Sequence, residues 1–422
     1  MAFARPFFAD QRSAPSSASL ATAVVAAALA SVAGAAQADD AAGSPAAIRV
    51  LAQAGQPFSA VPSADGQWLF VSLTANAAQE RAGTGANGIA AVRRDGNVSA
   101  TRFVPTPGRP FGLVLTHDGT LAIAAATSRV VFLDTARLVA GNPAAVLGAI
   151  VTTDHAGSIA VNVTADDRFL FVAEEDAQRI TVIDLDKARS SGFRESAIVG
   201  AIPVGRAPIA LAFSPDQKIL YTTSQRATAR AGRPAECAAE GAAGEKDPTP
   251  RFPQGSIVAI DVGRAVVDPA HSVIAETPAG CNPVRLVLSP DGGLAFVTAR
   301  KDDALLVFDT AKLVADPAHA RLGQLHVGQS PVGIAVDGAR DRVYVTSSNR
   351  FAGNTDDHQF IDVVDISRSR DGTLLPLGRI PAGAFPRELA VAGDTLIVTN
   401  YLSRSVELVD LGKVDIARPA GP

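Results

Sequence analysis

The sequence contains few of the residues that support disulfide, metal or nucleic-acid chemistry. Its 422 residues include two cysteines, one tryptophan and one methionine, and aromatic residues make up 5% of the chain. Two cysteines exclude a multi-disulfide scaffold and a four-cysteine zinc site. A formal net charge of −4 provides no general attraction to nucleic acid or to anionic membranes. The hydrophobic fraction of 47% is sufficient for a large core, which excludes disorder of the whole chain.

Catalytic and cofactor motifs are equally scarce. The six histidines show no metal-binding spacing, and the chain contains no phosphate-binding loop and no nucleophile elbow. We therefore expect no metal and no bound cofactor, although a metal site assembled from separate repeats would leave no such spacing. The arginines at 226–233 are balanced by nearby glutamates and lack interleaved aromatic residues, so we expect no nucleic-acid partner.

The N-terminus has the features of a secretory signal. Arg5 and Arg12 precede an uncharged, alanine-rich segment that ends in an Ala-x-Ala site at Ala38. A membrane anchor is the alternative, but the segment is short for a bilayer span of about 20 residues. We predict a signal peptide over residues 1–38 with cleavage near Ala38, and a periplasmic or secreted protein with no membrane span.

What the sequence does contain is one pattern that occurs seven times. The copies share one order: a Gly-x-x-Pro-like turn, an apolar strand, an Asp-Gly-type turn, a β-branched strand, a loop and a third strand, which ends in aspartate in six of the seven. The turn residues are Pro57, Pro110, Ser158, Pro208, Pro283, Pro331 and Pro386. They are about 50 residues apart, except for an interval of 75 residues between Pro208 and Pro283. A repeat of about 50 residues with four short strands is typical of a β-propeller blade.

The two ends of the repeat array predict how the ring closes. The seventh copy supplies three strands, and an unpaired strand-like segment at 48–53 precedes the first turn. We expect this segment to complete the last blade, so that no sheet edge is left open. The predicted fold is all-β: a seven-bladed β-propeller of four-stranded antiparallel blades, closed by an N-terminal strand. Residues 39–422 are predicted to be a single domain, with an insertion in the fourth blade at about 225–255.

The repeat resembles the YVTN repeat β-propeller family. The phrases Gly-x-x-Pro, Ser-Pro-Asp-Gly, Tyr-Val-Thr-Asn and Val-Ile-Asp have counterparts at 280–283, 289–292, 343–349, 396–400 and 182–184. The resemblance extends from about residue 48 to residue 412 and implies a seven-bladed propeller, often exported, in a family with diverse functions. Its motif residues build blades, so the resemblance implies a fold and no catalytic site. The third copy departs from the pattern, with His155 to Ser158 where the proline turn is expected.

The two faces of the predicted propeller differ in their loops. The Gly-x-x-Pro turns and the loops between second and third strands lie on one face, the Gly-x-x-Pro face, and the Asp-Gly turns lie on the other, the Asp-Gly face. The longest insertions, 73–88, 225–255 and 349–359, all fall on the Gly-x-x-Pro face. Loops longer than about 12 residues are often functional or disordered. We therefore expect this face to carry the activity, with flexible decoration as the alternative.

Charged residues are predicted to surround the channel mouth on the Gly-x-x-Pro face. The candidate ligand-binding residues are Arg109, Arg206, Arg300, Arg350, His358 and Tyr401. A guanidinium binds a carboxylate through two parallel hydrogen bonds, so this set suits a small anionic ligand. Solvated loop arginines are the alternative interpretation.

The two cysteines belong to the same face. Cys237 lies in the fourth-blade insertion and Cys281 lies in the next Gly-x-x-Pro turn. In an oxidising compartment we expect a disulfide, whose effect on the unfolded chain is worth about 3–4 kcal/mol for a loop of this length. A reactive thiol pair is the alternative.

Three functions are open at this stage. We favour a monomeric binding protein that presents the Gly-x-x-Pro face to a small anionic molecule or a protein partner. The second is a lactonase-like hydrolase, with Glu174 or Glu175 as base, His155 as proton donor and Arg109 or Arg206 at the carboxylate. The third is a scaffold subunit of a periplasmic redox complex, which requires a partner subunit.

Overall fold

The blades of the propeller follow the sequence repeat. The computed structural model describes residues 46–75, 79, 81, 87–95, 101–232, 235–238, 251–348 and 359–417. Within these ranges the strands form seven antiparallel blades, and a small two-stranded hairpin belongs to the fourth-blade insertion. The first strands of all seven blades line one central channel, so the first strand is innermost and the fourth is outermost. The predicted all-β, seven-bladed fold is confirmed.

Each blade contributes a first, second, third and outer strand. The first strands are Gln56–Pro62, Pro110–Leu115, Ser158–Val163, Arg206–Pro208 with Ala212–Phe213, Pro283–Leu288, Pro331–Asp337 and Pro386–Ala392. The second strands are Trp68–Thr74, Leu121–Ala126, Phe169–Glu174, Ile219–Arg226, Leu294–Ala299, Arg342–Ser347 and Thr395–Asn400. The third strands are Gly88–Arg93, Arg129–Asp134, Arg179–Asp184, Ser256–Asp261, Ala304–Asp309, Gln359–Asp365 and Ser405–Asp410. The outer strands are Arg102–Pro105, Val146–Val151, Ile198–Pro203, Val273–Pro278, Arg321–His326, Leu375–Ala382 and Ile48–Ala52.

Blade 7 joins the two ends of the repeat array. Strand Ile48–Ala52 pairs antiparallel with Ser405–Asp410, from Ile48 opposite Val409 to Ala52 opposite Ser405. This strand supplies the outer edge that the seventh repeat lacks. The predicted closure of the ring by an N-terminal strand is confirmed.

The aspartate that ends the third strand begins a short helix in four blades. These caps are Asp134, Asp184, Asp261 and Asp309, whose side chains accept the backbone N–H three residues later at 2.8–3.1 Å. Aspartate is a preferred residue at this position because its carboxylate satisfies an otherwise unpaired donor. The helices are Thr135–Val139, Leu185–Ser191, Val262–Ala265 and Thr310–Ala315. Across the described ranges, no helix is long and apolar enough to cross a bilayer.

Hydroxyl groups of the second strands link neighbouring blades. The side chain of Thr298 in blade 5 accepts the N–H of Arg285 in its own first strand at 3.1 Å and donates to the carbonyl of Val332 in blade 6 at 3.0 Å. Thr223 and Thr399 make equivalent bonds from blades 4 and 7. This link explains why a threonine recurs in the second strand of the repeat. The hydrophobic core fills the space between the same neighbouring blades.

Candidate functional site

A bulge follows the turn residue of the first strands. In six blades the register with the second strand shifts directly after the turn residue, and in blade 4 the first strand is interrupted there. A bulge redirects the side chains next to it. The residues after the turn residue form what we call the closing ring: Phe58, Phe111, Ile159, Ile209, Val284, Val332 and Arg387. Each is at most 5% exposed and its six apolar members pack in one cluster, so the ring fills the channel near the Gly-x-x-Pro face.

Arg387 is the one charged member of the closing ring. Its guanidinium carbon lies 3.8 Å from the centroid of the Phe58 ring, 5.5 Å from that of Phe385 and 5.7 Å from that of Tyr401. A cation over aromatic faces is stabilised where water is excluded. The hydroxyl of Tyr401 lies 3.2 Å from Thr74 Oγ1, and the ring of Tyr401 is buried. Tyr401 is therefore part of the apolar closure, and Arg387 is a residue that we did not select from the sequence.

Two arginines face each other at the base of the blade 4 insertion. Arg206, in the Gly-x-x-Pro turn, lies directly opposite Arg226 in the antiparallel register, and both side chains are half-buried. The Arg226 guanidinium carbon is 4.0 Å from the centroid of the Phe252 ring. Burial and the positive charge of Arg206 lower the pKa of Arg226 below its ordinary value. Like charges directly opposite each other on paired strands are destabilising, so this pair marks a place where an anion would be attracted.

Asp176 lies close enough to Arg206 and His155 to interact electrostatically with both side chains. Partial burial raises the pKa of Asp176, while Arg206 and, more weakly, His155 oppose that rise. His155 is exposed and has a φ of 55° in the atypical turn of blade 3. A Cβ at the following Gly157 would lie 2.7 Å from Asp176 Oδ2, so the close approach of the turn requires glycine. The atypical turn therefore places an exposed histidine near a carboxylate and an arginine. The only sequence signal for Asp176 was its position directly after Glu174 and Glu175.

The two glutamates of blade 3 differ in their surroundings. Glu174 is fully buried, and its Oε2 accepts a hydrogen bond of 2.6 Å from Arg179 Nε. The Arg179 guanidinium also donates to the carbonyl of Thr152 at 3.1 Å. The backbone N–H of Glu175 donates to the carbonyl of Gly157 at 3.0 Å. Glu174 is thus engaged in an ion pair within its blade, and a catalytic role for either glutamate stays a prediction.

The other candidates are spread over several blades. Arg109 is half-buried in the turn of blade 2, whereas Arg300 is buried and its backbone N–H donates to the carbonyl of Asn282 at 3.1 Å. Arg350 and His358 lie outside the described residues, so their location at the channel mouth stays a prediction. In the part of the chain that the structure describes, no three His, Cys, Asp or Glu side chains are grouped to hold a metal ion.

Cys237 and Cys281 form the predicted disulfide. Their Cα atoms are 5.8 Å apart, and the bond joins positions separated by 44 residues. It attaches the insertion hairpin, Glu236–Ala238 with Arg251–Pro253, to the Gly-x-x-Pro turn of blade 5. The backbone N–H of Cys281 also donates to Asp302 Oδ2 at 2.7 Å, and burial raises the pKa of Asp302. Phe252, the ring that packs under Arg226, belongs to this attached hairpin.

Comparison with known proteins supports the architecture. No family model matches the chain, and no curated protein matches it. A chain of hydrazine synthase from Kuenenia stuttgartiensis is 18% identical with a TM-score of 0.59, over 84% of this chain and 95% of that one. A chain of a mitotic checkpoint complex is 12% identical with a TM-score of 0.61, over 86% and 93%. The likeness is one of fold. Membership of the YVTN repeat family stays a prediction.

Proposed function

We propose that this chain is an exported YVTN-like propeller whose Gly-x-x-Pro face binds a small anion between Arg206 and Arg226. The observation that carries the proposal is the direct opposition of these two arginines in the strand register, with both side chains half-buried. Their repulsion costs stability in the free protein, and a carboxylate that accepts hydrogen bonds from both would turn repulsion into attraction. Asp176 reduces the local positive charge, which favours a small carboxylate over a polyanion.

Export agrees with the covalent structure of this face. A disulfide persists in oxidising compartments and is rare in a reducing cytosol. The bond between Cys237 and Cys281 fixes the hairpin that carries Phe252, and this ring packs against Arg226. A pre-arranged guanidinium loses less entropy when it binds a ligand. The disulfide therefore supports both the compartment and the ligand site.

Anion-dependent thermal stability tests the proposed site. With succinate, citrate or inorganic phosphate in large excess over its Kd, we expect at least one of the three to raise the Tm by about 2 °C. Arg206→Met and Arg226→Met should abolish the shift because each removes one of the two donors. Arg264→Met is the control, since Arg264 is an exposed residue of the helix Val262–Ala265 on the Asp-Gly face. No shift with any of the three anions, or an undiminished shift in both site variants, would contradict the proposal.

Asp176 should make anion binding dependent on pH. Because its pKa lies above the ordinary value of 3.8, it gains a proton at a higher pH than a free aspartate does. The loss of negative charge beside Arg206 then strengthens anion binding as the pH falls. Sulfate is the suitable probe because it does not titrate in this range, and calorimetric titration from pH 7 to pH 4 measures the effect. Asp176→Asn should bind sulfate with the stronger affinity throughout, and a wild-type affinity independent of pH would contradict this role.

A protein partner is the second candidate for the same face. One of the matching solved structures is of a mitotic checkpoint complex, so a propeller of this shape occurs in a protein assembly. The disulfide-bound hairpin of blade 4 is the element that we expect such a partner to contact. Cross-linking in cells of the source organism, compared between the wild type and a variant without residues 236–253, tests this candidate. Equal cross-linking in both would contradict it.

A further inference from the structure

A cavity lies inside the channel, on the other side of the closing ring. The first strands enclose a cavity of about 220 Å³ that all seven blades line. Toward the Asp-Gly face, lining residues such as Leu211, Val287 and Leu389 are half-buried, in contrast to the buried closing ring. The channel is therefore a pocket that is closed at the Gly-x-x-Pro end and accessible from the Asp-Gly end.

The cavity exists because small residues follow the closing ring. The next position of each first strand is occupied by Ser59, Gly112, Ala160, Ala210, Arg285, Gly333 and Glu388. Glycine is required at two of these places, since a Cβ on Gly112 would lie 2.7 Å from the carbonyl oxygen of Ile159 and one on Gly333 would lie 2.6 Å from that of Arg387. Five small side chains thus leave room at the axis, and two charged side chains face that room.

Arg285 and Glu388 form an ion pair in this cavity. The Arg285 Nη2 atom donates to Glu388 Oε1, and Nη1 donates to the carbonyl of Ile209 at 3.3 Å. The side chains are 11% and 24% exposed, so the pair is shielded from bulk water yet reachable from the channel. Blade 6 lies between them and contributes only Gly333 at this level. Arg285 has five N–H donors and a carboxylate has two oxygens, so both groups have capacity beyond these contacts.

The charges and walls of the pocket select one class of ligand. The pair is neutral overall, so Glu388 repels a net anion and Arg285 repels a net cation. A purely apolar molecule would desolvate both charges without replacing their hydrogen bonds. A zwitterion presents a carboxylate to the guanidinium and an ammonium to the glutamate at once. The remaining wall is aliphatic, with Val161, Leu211 and Leu389 as examples.

We infer that the channel binds an aliphatic α-amino acid or a similar small zwitterion, with its carboxylate at Arg285 and its ammonium at Glu388. This site is independent of the anion site proposed on the opposite face, because the closing ring separates the two. Its position deep in the ring also makes it a ligand site that every blade contacts. Occupancy would therefore stabilise the propeller as a whole.

Calorimetric titration with L-leucine and two analogues tests the inference on the wild-type protein. Isocaproate lacks the ammonium group and isopentylamine lacks the carboxylate, while the aliphatic chain is retained. We expect L-leucine to bind at least tenfold more tightly than either analogue. Equal affinities for all three, or no detectable binding of L-leucine at 20 mM, would overturn the inference. This comparison needs no variant and does not depend on whether a variant folds.

Two variants then assign the charges. Arg285→Met should weaken L-leucine at least tenfold, and Glu388→Gln should do the same while removing the preference of L-leucine over isocaproate. Arg264→Met is the matched control and should retain L-leucine binding, because Arg264 is exposed in the helix Val262–Ala265 and belongs to neither proposed site. Retained L-leucine affinity in both channel variants would overturn the assignment. Loss of the anion-induced Tm shift in Arg206→Met alone would concern only the proposed function.

Discussion

The two ends of the central channel are built from the same seven strands, yet they differ in packing and in accessibility. At the Gly-x-x-Pro end the closing ring is at most 5% exposed, and its apolar members pack across all seven blades together with Phe385 and Tyr401 of blade 7. One position further along, five of the seven side chains are small, and Arg285 and Glu388 pair in a cavity. One step along the repeat therefore separates a packed core from an accessible pocket.

This difference follows from strand geometry. Successive side chains of a strand point to opposite sides, and a bulge changes which of them face the partner strand. The bulge after the turn residue lets adjacent positions both approach the axis at different depths. The closing ring is therefore constrained by its packing, while the next position varies between glycine and a charged residue. We expect substitutions at the two levels to have different consequences.

Truncation of the closing ring should have the largest effect. Phe58→Ala removes a fully buried ring that packs edge-to-face on Phe111 at 5.1 Å and lies under the Arg387 guanidinium. We expect it to lower the free energy of unfolding by about 3–5 kcal/mol, because the cavity left behind is only partly refilled. Urea unfolding followed by circular dichroism measures the change.

The matched control for that prediction lies at the accessible end. Val287 lines the pocket and is half-buried, so Val287→Ala should cost about 1 kcal/mol. If the two substitutions cost the same, the two ends of the channel do not differ in packing and the comparison fails.

Loss of one inter-blade hydroxyl should have an intermediate effect. Thr298→Val leaves the carbonyl of Val332 in the closing ring and the N–H of Arg285 without their partner. We expect a cost of about 1–3 kcal/mol, the usual penalty for unsatisfied buried polar groups. Differential scanning calorimetry measures it.

Thr181→Val makes the same change of side chain and is the control for Thr298→Val. Thr181 is also buried, but its hydroxyl has no hydrogen-bond partner within the described structure. Its removal should be neutral or stabilising. Equal losses in the two variants would mean that the Thr298 hydroxyl does not hold the closing ring.

Most of the fold could be predicted because the turns and strands of each blade recur in the sequence at a regular spacing. The Gly-x-x-Pro turns and the aspartates at the ends of the third strands recur with the repeat, and some have a local physical cause, such as the N-cap bond of Asp134. The strand at Ile48 occupies the position of an outer strand in the same repeat. The disulfide followed from placing Cys237 and Cys281 on one face. Predicting these features requires only the alignment of the seven repeats with one another.

The sites were harder to predict because they depend on long-range placement. Strand register alone does not show that the bulge directs two adjacent positions toward the axis. Arg285 and Glu388 are also 103 residues apart in the chain, so their ion pair could not be predicted from the sequence. Arg387 could have been noticed as the one charged residue in a column that is otherwise apolar. The opposition of Arg206 and Arg226 required the register of the interrupted first strand of blade 4.

The smallest predicted effect concerns a buried carboxyl group in the third strand of blade 7. Glu407 is 7% exposed, and burial raises its pKa above the ordinary 4.5, although contacts with Asn400 and with the backbone of Gly383 oppose the rise. The unfolded chain ionises this residue at its ordinary pKa and the folded chain does so at a higher pH. Its contribution to stability is therefore complete below pH 4.5 and is lost as the pH rises through the folded-state pKa.

Glu407→Gln keeps the shape of the side chain and removes its titration. Relative to the wild type, we expect the variant to gain about 1 kcal/mol of unfolding free energy between pH 4.5 and pH 7, measured by urea unfolding at both values. Glu195→Gln, at an exposed position, reports the effect of losing one surface charge. A stability difference from the wild type that is the same at both pH values would show that burial does not raise the pKa of Glu407. In that case the burial of Glu407 would not distinguish its titration from that of the more accessible Glu388, whose side chain is 24% exposed.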